Sequence, residues 1–308
     1  MKQHSFFVYY VYTQSTMGIF YAILSALFFG LYIIPRKLSK QPPLEFCTTT
    51  ALAFTFGSIA LYVFQIFFGP YETLLNLNLI YAIFGGIAWA TAFVLLVESI
   101  DKIGLARSNQ WKNLQGPIGV LLALTILGES NTVNPILAIL SGLAVFSSAS
   151  MFNIIDEKQE KTVNKLGVFL ALCSGLLFGI GSAINKYVTD NAGVYSQLVV
   201  WSSSVLVSLI IFQLWNKKFS LQLFRINKET LLGLTSGILY LGASLFMLLS
   251  FNLLESSIAF TIIQMNFAIV ILLGIFIFKE FEIKENIPRL IAGFVLATIG
   301  ILLLSASK

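Results

Sequence analysis

The strongest constraint in this sequence is a succession of apolar segments, each about as long as a bilayer is thick. We place ten of them at 18–35, 45–68, 78–98, 104–127, 133–152, 167–185, 195–215, 230–250, 256–278 and 288–306. About 20 mostly apolar residues in a helix cross the hydrocarbon core. Inside lipid each backbone N–H and C=O must be satisfied within the structure, which favours helices. The pattern predicts an all-α integral membrane protein with ten transmembrane helices.

The composition agrees with this class and excludes several functions. Charged residues make up 11% of the chain, whereas soluble proteins carry about 25%. The single histidine is His4, and the two cysteines, Cys47 and Cys173, lie in different apolar segments. A histidine metal site, a catalytic triad and a disulfide framework are therefore not expected. No GxxxxGK[ST] loop is present to drive an ATP-dependent pump. We predict no enzyme activity, no catalytic residue, no metal, no cofactor and no nucleic-acid partner.

The basic residues predict the orientation in the membrane. Short loops rich in Lys and Arg stay in the cytoplasm, and the odd-numbered connections hold nearly all of them, whereas the even-numbered ones hold Lys186. The odd connections and their flanks carry Arg36, Lys37, Lys40, Lys102, Arg107, Lys158, Lys161, Lys165, Lys217, Lys218, Arg225, Lys228, Lys279, Lys284 and Arg289. Both termini are predicted to lie outside.

The two halves of the chain repeat one another. Gly18–Lys37 and Gly167–Lys186 share Gly, Phe, Ala, Ser, Leu, Phe, Gly and Lys in register, and both the fourth and ninth spans end near a glutamate, Glu129 and Glu280. Five spans per half force opposite orientations, and inverted repeats build carriers whose solute site lies between the halves. We predict a tail at 1–16 (with Met17 as an alternative start), a first repeat at 17–152, a cytoplasmic linker at 153–166 and a second repeat at 167–308.

The fourth span is unusually polar for a membrane segment. The residues 105–129 are expected to form one long helix with a kink at Pro117, which lacks a backbone N–H. Polar groups held in a membrane usually face a partner or a water-filled cavity. Because residues three, four and seven apart share a helix face, Asn109, Lys112, Asn113 and Gly116 form one stripe. The candidate solute-binding residues are Asn109, Trp111, Lys112 and Asn113, with Trp89 in the third span and Thr261, Gln264 and Asn266 in the ninth.

Each of these candidates also has a structural interpretation. Amide side chains often bridge neighbouring membrane helices, and tryptophans often pack or lie at the membrane interface. Glu98 ends the third span opposite Arg107. It is either an ion-pair partner of Arg107 at the cytoplasmic surface or a carboxylate for proton coupling. Facilitated diffusion without coupling stays open.

The repeat and the helix ends resemble the drug/metabolite transporter superfamily, which is built from two EamA-type repeats. The segments FFGLYIIPRKL (28–38) and GGIAWATAF (85–93) resemble motifs of the glucose/ribose porter family within it. The resemblance implies a multi-pass carrier in the plasma membrane that moves a sugar or a similar small polar solute by alternating access. Its partners are the solute and the bilayer, and a homodimer is left open.

Other functions stay open from the sequence. An exporter of amino acids, nucleotides or drugs has the same fold. A lipid-modifying membrane enzyme would need carboxylate or histidine pairs, which are scarce here. A non-transporting sensor would have a central space too dry or too narrow for a solute.

Overall fold

The computed structural model describes residues 2–69, 71–151, 164–216, 227–270 and 283–307. Within these ranges the chain is helical, with no β-strand. The helices are α1 (Lys2–Leu31), α2 (Ile34–Leu38), α3 (Pro43–Phe68), α4 (Leu79–Ile103), α5 (Leu105–Lys112), α6 (Gln115–Thr125), α7 (Pro135–Met151), α8 (Lys165–Ala192), α9 (Val194–Trp215), α10 (Lys228–Phe251), α11 (Ser256–Gln264) and α12 (Ile283–Ala306). The predicted all-helical class is confirmed.

The helices begin and end where local chemistry allows. Proline occupies the start of α3 and α7, where a missing N–H costs nothing. Asn164 and Asn227 accept backbone N–H groups at the starts of α8 and α10. Gly104 separates α4 from α5 with φ 85°, a left-handed conformation that favours glycine. Most boundaries of the predicted spans lie within a few residues of the helix ends in the structure.

Among the described residues, seven segments are long and apolar enough to cross a membrane. They correspond to the first, second, third, sixth, seventh, eighth and tenth predicted spans. The other three predicted spans contain the shorter apolar helices Gln115–Thr125, Pro135–Ser148 and Ser256–Val270. The chain is an integral, multi-pass membrane protein. The end of the ninth span, the Lys279–Glu280 motif and most of the linker at 153–166 lie outside the described residues.

The fourth span is two helices rather than the one long helix we predicted. Helix α5 ends at Lys112, and α6 begins at Gln115. Across the break, the N–H groups of Leu114 and Gly116 donate to the carbonyls three residues earlier, Trp111 and Asn113. Pro117 has no N–H to bond the Asn113 carbonyl four residues back, so the α-helical pattern cannot continue there. The break therefore precedes the proline instead of forming a kink at it.

The ninth span is interrupted at the matching position. Helix α11 ends at Gln264, Met265 forms a turn, and residues 266–270 are helical again. Here too the backbone bonds shift to a spacing of three, because the N–H of Met265 donates to the Ile262 carbonyl and that of Ala268 to Met265. No proline is present at this break.

The contacts between helices of the first and second halves of the chain occur in matching pairs. Helix α4 packs against α8 and α9, while α10 packs against α1 and α3. The Ser174 hydroxyl donates to the Ala92 carbonyl between α8 and α4, and the Ser25 hydroxyl donates to the Ala243 carbonyl between α1 and α10, both at 2.8 Å. About two turns along the helices, the Ser99 hydroxyl donates to the Gly167 carbonyl and the Ser250 hydroxyl donates to the Gly18 carbonyl.

The connections meet in two groups, one at each end of the bundle. At one end the Arg36 guanidinium bonds Asp101 at 2.7 Å, and Glu229 accepts the Lys40 N–H at 2.6 Å. These residues belong to the first, third and seventh connections. At the other end the Glu129 carboxylate accepts the N–H groups of Ser256 and Ser257, which joins the fourth connection to the start of α11.

Candidate functional site

A central cavity lies where both halves of the chain meet. Its walls come from α1, α4, α5, α6, α8, α9, α10 and α11. The volume of the cavity, measured by the positions that the centre of a water molecule can occupy, is about 40 Å³. One water needs about 10–15 Å³ on this measure, so the space holds a few waters in this conformation. A hexose needs the walls to separate.

Lys112 brings a positive charge to this cavity. It is the last residue of α5 and its side chain is 5% exposed. The ammonium lies 5.5 Å from the centroid of the Phe178 ring, an attractive cation–π arrangement. Among the residues that the structure describes, no carboxylate lies within ion-pair distance of it. The break after Lys112 positions the ammonium against the cavity.

Aromatic rings form a large part of the wall. Trp89 and Tyr240 have ring centroids 4.5 Å apart, and Tyr32 lies 5.2 Å from Tyr240. Trp201 is 1% exposed, and its indole N–H has no partner among the described residues. Rings of this kind offer flat apolar surface together with polar edges.

Three amide side chains, Gln115, Asn185 and Asn266, supply polar groups in the wall. Asn185 is held by Gln197, whose Nε2 donates to the Asn185 Oδ1 at 3.1 Å, while the Thr189 hydroxyl donates to the Gln197 Oε1 at 2.7 Å. This network fixes the orientation of the Asn185 amide. The Asn266 Nδ2 donates to the Ile263 carbonyl at 2.8 Å, which ties Asn266 to the break in the ninth span.

A second, smaller cavity lies beside the first one. Its lining includes Asn113, Thr261 and Gln264, and its volume on the same measure is about 10 Å³. This is room for about one water molecule. Both polar atoms of Asn113 and the Nε2 of Gln264 are buried with no partner among the described residues. Buried polar groups are nearly always bonded, so these atoms are suited to a water or a solute group.

The predicted site residues divide into three groups. Lys112, Trp89 and Asn266 line the central cavity, and Asn113, Thr261 and Gln264 line the second one. Asn109 and Trp111 line neither, and the Asn109 Nδ2 donates to the Leu105 carbonyl of its own helix. Asn109 precedes the break and lies on the same helix as Lys112, so helical spacing alone did not separate a residue at the cavity from one bonded within its own helix.

Glu98 lies apart from both cavities. It lines a groove together with Glu45, Gln213 and Asn216, at the ends of α3, α4 and α9. The predicted ion pair between Glu98 and Arg107 is absent from the described part of the chain. The ion pair found near the end of α4 joins Arg36 to Asp101. The hairpin between α4 and α5 is instead joined by the Ser99 and Ser108 hydroxyls at 2.8 Å.

Several lining residues were not among the sequence candidates. They are Phe29, Tyr32, Gln115, Phe178, Gly181, Ser182, Asn185, Trp201 and Tyr240. Polar Asn185 in an apolar helix was a usable signal. The aromatic residues were not, since 28 phenylalanines and 11 tyrosines are spread through the chain.

Comparison with known proteins gives a consistent family. The sequence model described as "Sugar transport protein" matches residues 20–306. The chain is 23% identical over 300 residues to "Probable glucose uptake protein GlcU" of Priestia megaterium, covering 95% of this chain and 100% of that one. It is also 23% identical over 301 residues to "Glucose uptake protein GlcU" of Bacillus subtilis, covering 95% and 99%.

The fold also has a counterpart among solved structures. One crystal structure superposes with a TM-score of 0.69 at 13% sequence identity, over 96% of each chain. At that identity the likeness concerns the fold alone. The family match over residues 20–306 assigns the sequence: this chain belongs to the sugar transport protein family.

Proposed function

We propose that the protein is a secondary carrier of the plasma membrane that moves a small sugar through the central cavity. The observation that carries this proposal is the cavity wall itself, in which Lys112, Gln115, Asn185 and Asn266 stand beside the rings of Trp89 and Tyr240. Amides donate and accept hydrogen bonds at once, which suits hydroxyl groups. Flat rings suit the apolar face of a sugar. The glucose uptake proteins among its relatives support the same substrate class.

The carrier is built, in this proposal, from two inverted repeats of five spans. The exchanged hydrogen bonds Ser25–Ala243 and Ser174–Ala92 support it. The close approaches support it as well. A Cβ added at Gly30 would lie 3.3 Å from the Asn266 carbonyl, and one added at Gly179 would lie 3.1 Å from the Gln115 carbonyl. The three shorter apolar helices then belong to the fourth, fifth and ninth spans.

Transport proceeds by alternating access of the two repeats. The cavity in this conformation is too small for a hexose, so the solute enters only when the walls move apart. The breaks in the fourth and ninth spans lie at the cavity, and broken helices near the midplane are typical of carrier sites. A sensor that binds no transported solute would also have a narrow space, and the experiment below separates the two.

The test is uptake of labelled glucose and ribose into proteoliposomes, with and without an imposed pH gradient. The carrier predicts saturable uptake that needs the protein. A sensor predicts none. Glu98→Gln is compared with the wild-type protein in the same assay. If a pH gradient accelerates wild-type uptake and the variant loses that acceleration, Glu98 takes part in proton coupling. If the gradient has no effect, transport is facilitated diffusion.

A further inference from the structure

Within the described part of the chain, no acidic side chain balances the positive charge of Lys112 in the central cavity. Lys112 is the one charged residue among the described residues that line it, and no Asp or Glu is among them. The described carboxylates nearest in sequence, Glu98 and Asp101, belong to the groove and to the pair with Arg36. The cavity is therefore positive.

The surroundings of Lys112 offer only partial compensation. The Phe178 ring attracts the ammonium through its quadrupole, which is weaker than a full charge. Lys112 also ends α5, whose C-terminal carbonyls amount to about half a negative charge. Removing an ammonium from water without an anionic partner is costly, and a partner that arrives with the solute offsets that cost.

We propose that the preferred solute is a sugar acid, whose carboxylate binds the Lys112 ammonium. This inference rests on the proposed function and narrows its substrate class. A carboxylate is ionised at neutral pH, and a charge-assisted hydrogen bond is roughly twice as strong as one to a neutral hydroxyl. The remaining hydroxyls of the solute would face Gln115, Asn185 and Asn266, and its ring would lie against Trp89.

The experiment compares glucuronate with glucose, which has a hydroxymethyl group where glucuronate has the carboxylate. Both are measured in proteoliposomes at pH 7, for wild type, Lys112→Met and Lys102→Met. Lys102 is exposed at the end of α4 and is the matched control for loss of a lysine charge. Protein amount and unfolding temperature are checked for each variant.

The proposal predicts that wild type takes up glucuronate with kcat/KM about tenfold higher than glucose. Lys112→Met should lower the value for glucuronate about a hundredfold and that for glucose only a few-fold, because the latter loses no ionic partner. Lys102→Met should behave like wild type. If Lys112→Met does not fold, the wild-type preference still decides, and stabilisation of the detergent-solubilised protein by glucuronate over glucose provides the second measurement.

Two results would overturn the sugar-acid inference and leave the proposed carrier function standing. Wild type that moves glucose but not glucuronate rejects it, and so does a Lys112→Met variant that loses both solutes equally. If neither solute moves in any preparation, the proposed function fails, and the sugar-acid inference fails with it.

Discussion

Gln115 donates an amide N–H to the Oε1 of Gln264 at 3.0 Å, across the space between α6 and α11. Gln115 lies just after the break in the fourth span, and Gln264 lies just before the turn in the ninth. Gln115 lines the central cavity, whereas Gln264 lines the second cavity. The pair therefore joins the two halves of the chain between the central cavity and the second cavity.

The first prediction concerns this pair. Gln264→Ala leaves the Gln115 amide buried without its partner, which costs about 1–3 kcal/mol. We expect uptake by Gln264→Ala to fall about tenfold. Uptake by Gln115→Ala should fall by a similar factor, because either change removes the same hydrogen bond. The double variant should be no worse than the poorer single one. Uptake by the double variant equal to the product of the two single effects would show that the residues act separately.

The second prediction concerns the free space beside Gly181. A Cβ added there meets no atom within 4 Å, and the residue lines the central cavity. Gly181→Leu should fill the cavity and abolish uptake, while the protein still folds and reaches the membrane. Gly181→Ala is the matched control and should keep most of the activity. Full transport by the leucine variant would mean that the solute takes another route.

The third prediction concerns close helix packing at Gly86. An added Cβ would lie 2.8 Å from the Trp201 carbonyl and 2.6 Å from the Ser204 Cβ. Gly86→Ala should destabilise the protein by about 1–3 kcal/mol through overpacking. Thermal unfolding in detergent measures this loss, with Gly181→Ala as the control glycine substitution. An unchanged unfolding temperature would contradict the close approach of α4 and α9.

The fourth prediction concerns the Glu129 carboxylate, which caps α11. It accepts the Ser256 N–H at 2.7 Å and the Ser257 N–H at 2.9 Å. Glu129→Gln retains one acceptor but loses the charge at the helix N-terminus, and should cost about 1–2 kcal/mol. Asp190→Asn removes the exposed partner of an i,i+4 pair with Lys186 and should change stability by less than about 0.5 kcal/mol. Equal effects of the two changes would argue against a special role for the cap.

The fifth prediction concerns orientation. With Cys47 and Cys173 replaced by Ala, a cysteine at Lys102 should react with an impermeant thiol reagent only from the cytoplasmic side. One at Asn191 should react only from outside. The reason is that Lys102 lies beside the Lys- and Arg-rich connections, whereas Asn191 bonds Asn76 at the other end of the bundle. Labelling of both from the same side would contradict the predicted topology.

The sequence predicted the helical membrane class and the sugar-transport resemblance, and both are confirmed. Long apolar segments, with Asn or Pro at several helix starts, indicate the helical membrane class from local sequence alone. The helix break before Gln115 was harder to predict from the sequence, because Pro117 indicates that the helix is disturbed but not at which residue it ends. The matching turn at Met265 has no proline and no local signal in the sequence.

The site was only partly predictable for the same reason. Lys112 is polar within an apolar span, and its placement toward a cavity followed from that cost. Asn109 was assigned by helical spacing from Lys112, but its amide bonds the Leu105 carbonyl of its own helix and it lines neither cavity. Tyr240 and Trp201 come together from α10 and α9, and no pattern within either helix distinguishes them from other aromatic residues.

The most direct test of the account is solute counterflow. Proteoliposomes are loaded with unlabelled sugar and diluted into a trace of labelled sugar, for wild type and Gly181→Leu. A carrier with alternating access predicts transient accumulation of label above equilibrium in wild type and none in the variant. Label that only equilibrates in wild type, or an overshoot that persists in Gly181→Leu, would contradict transport by alternating access through this cavity.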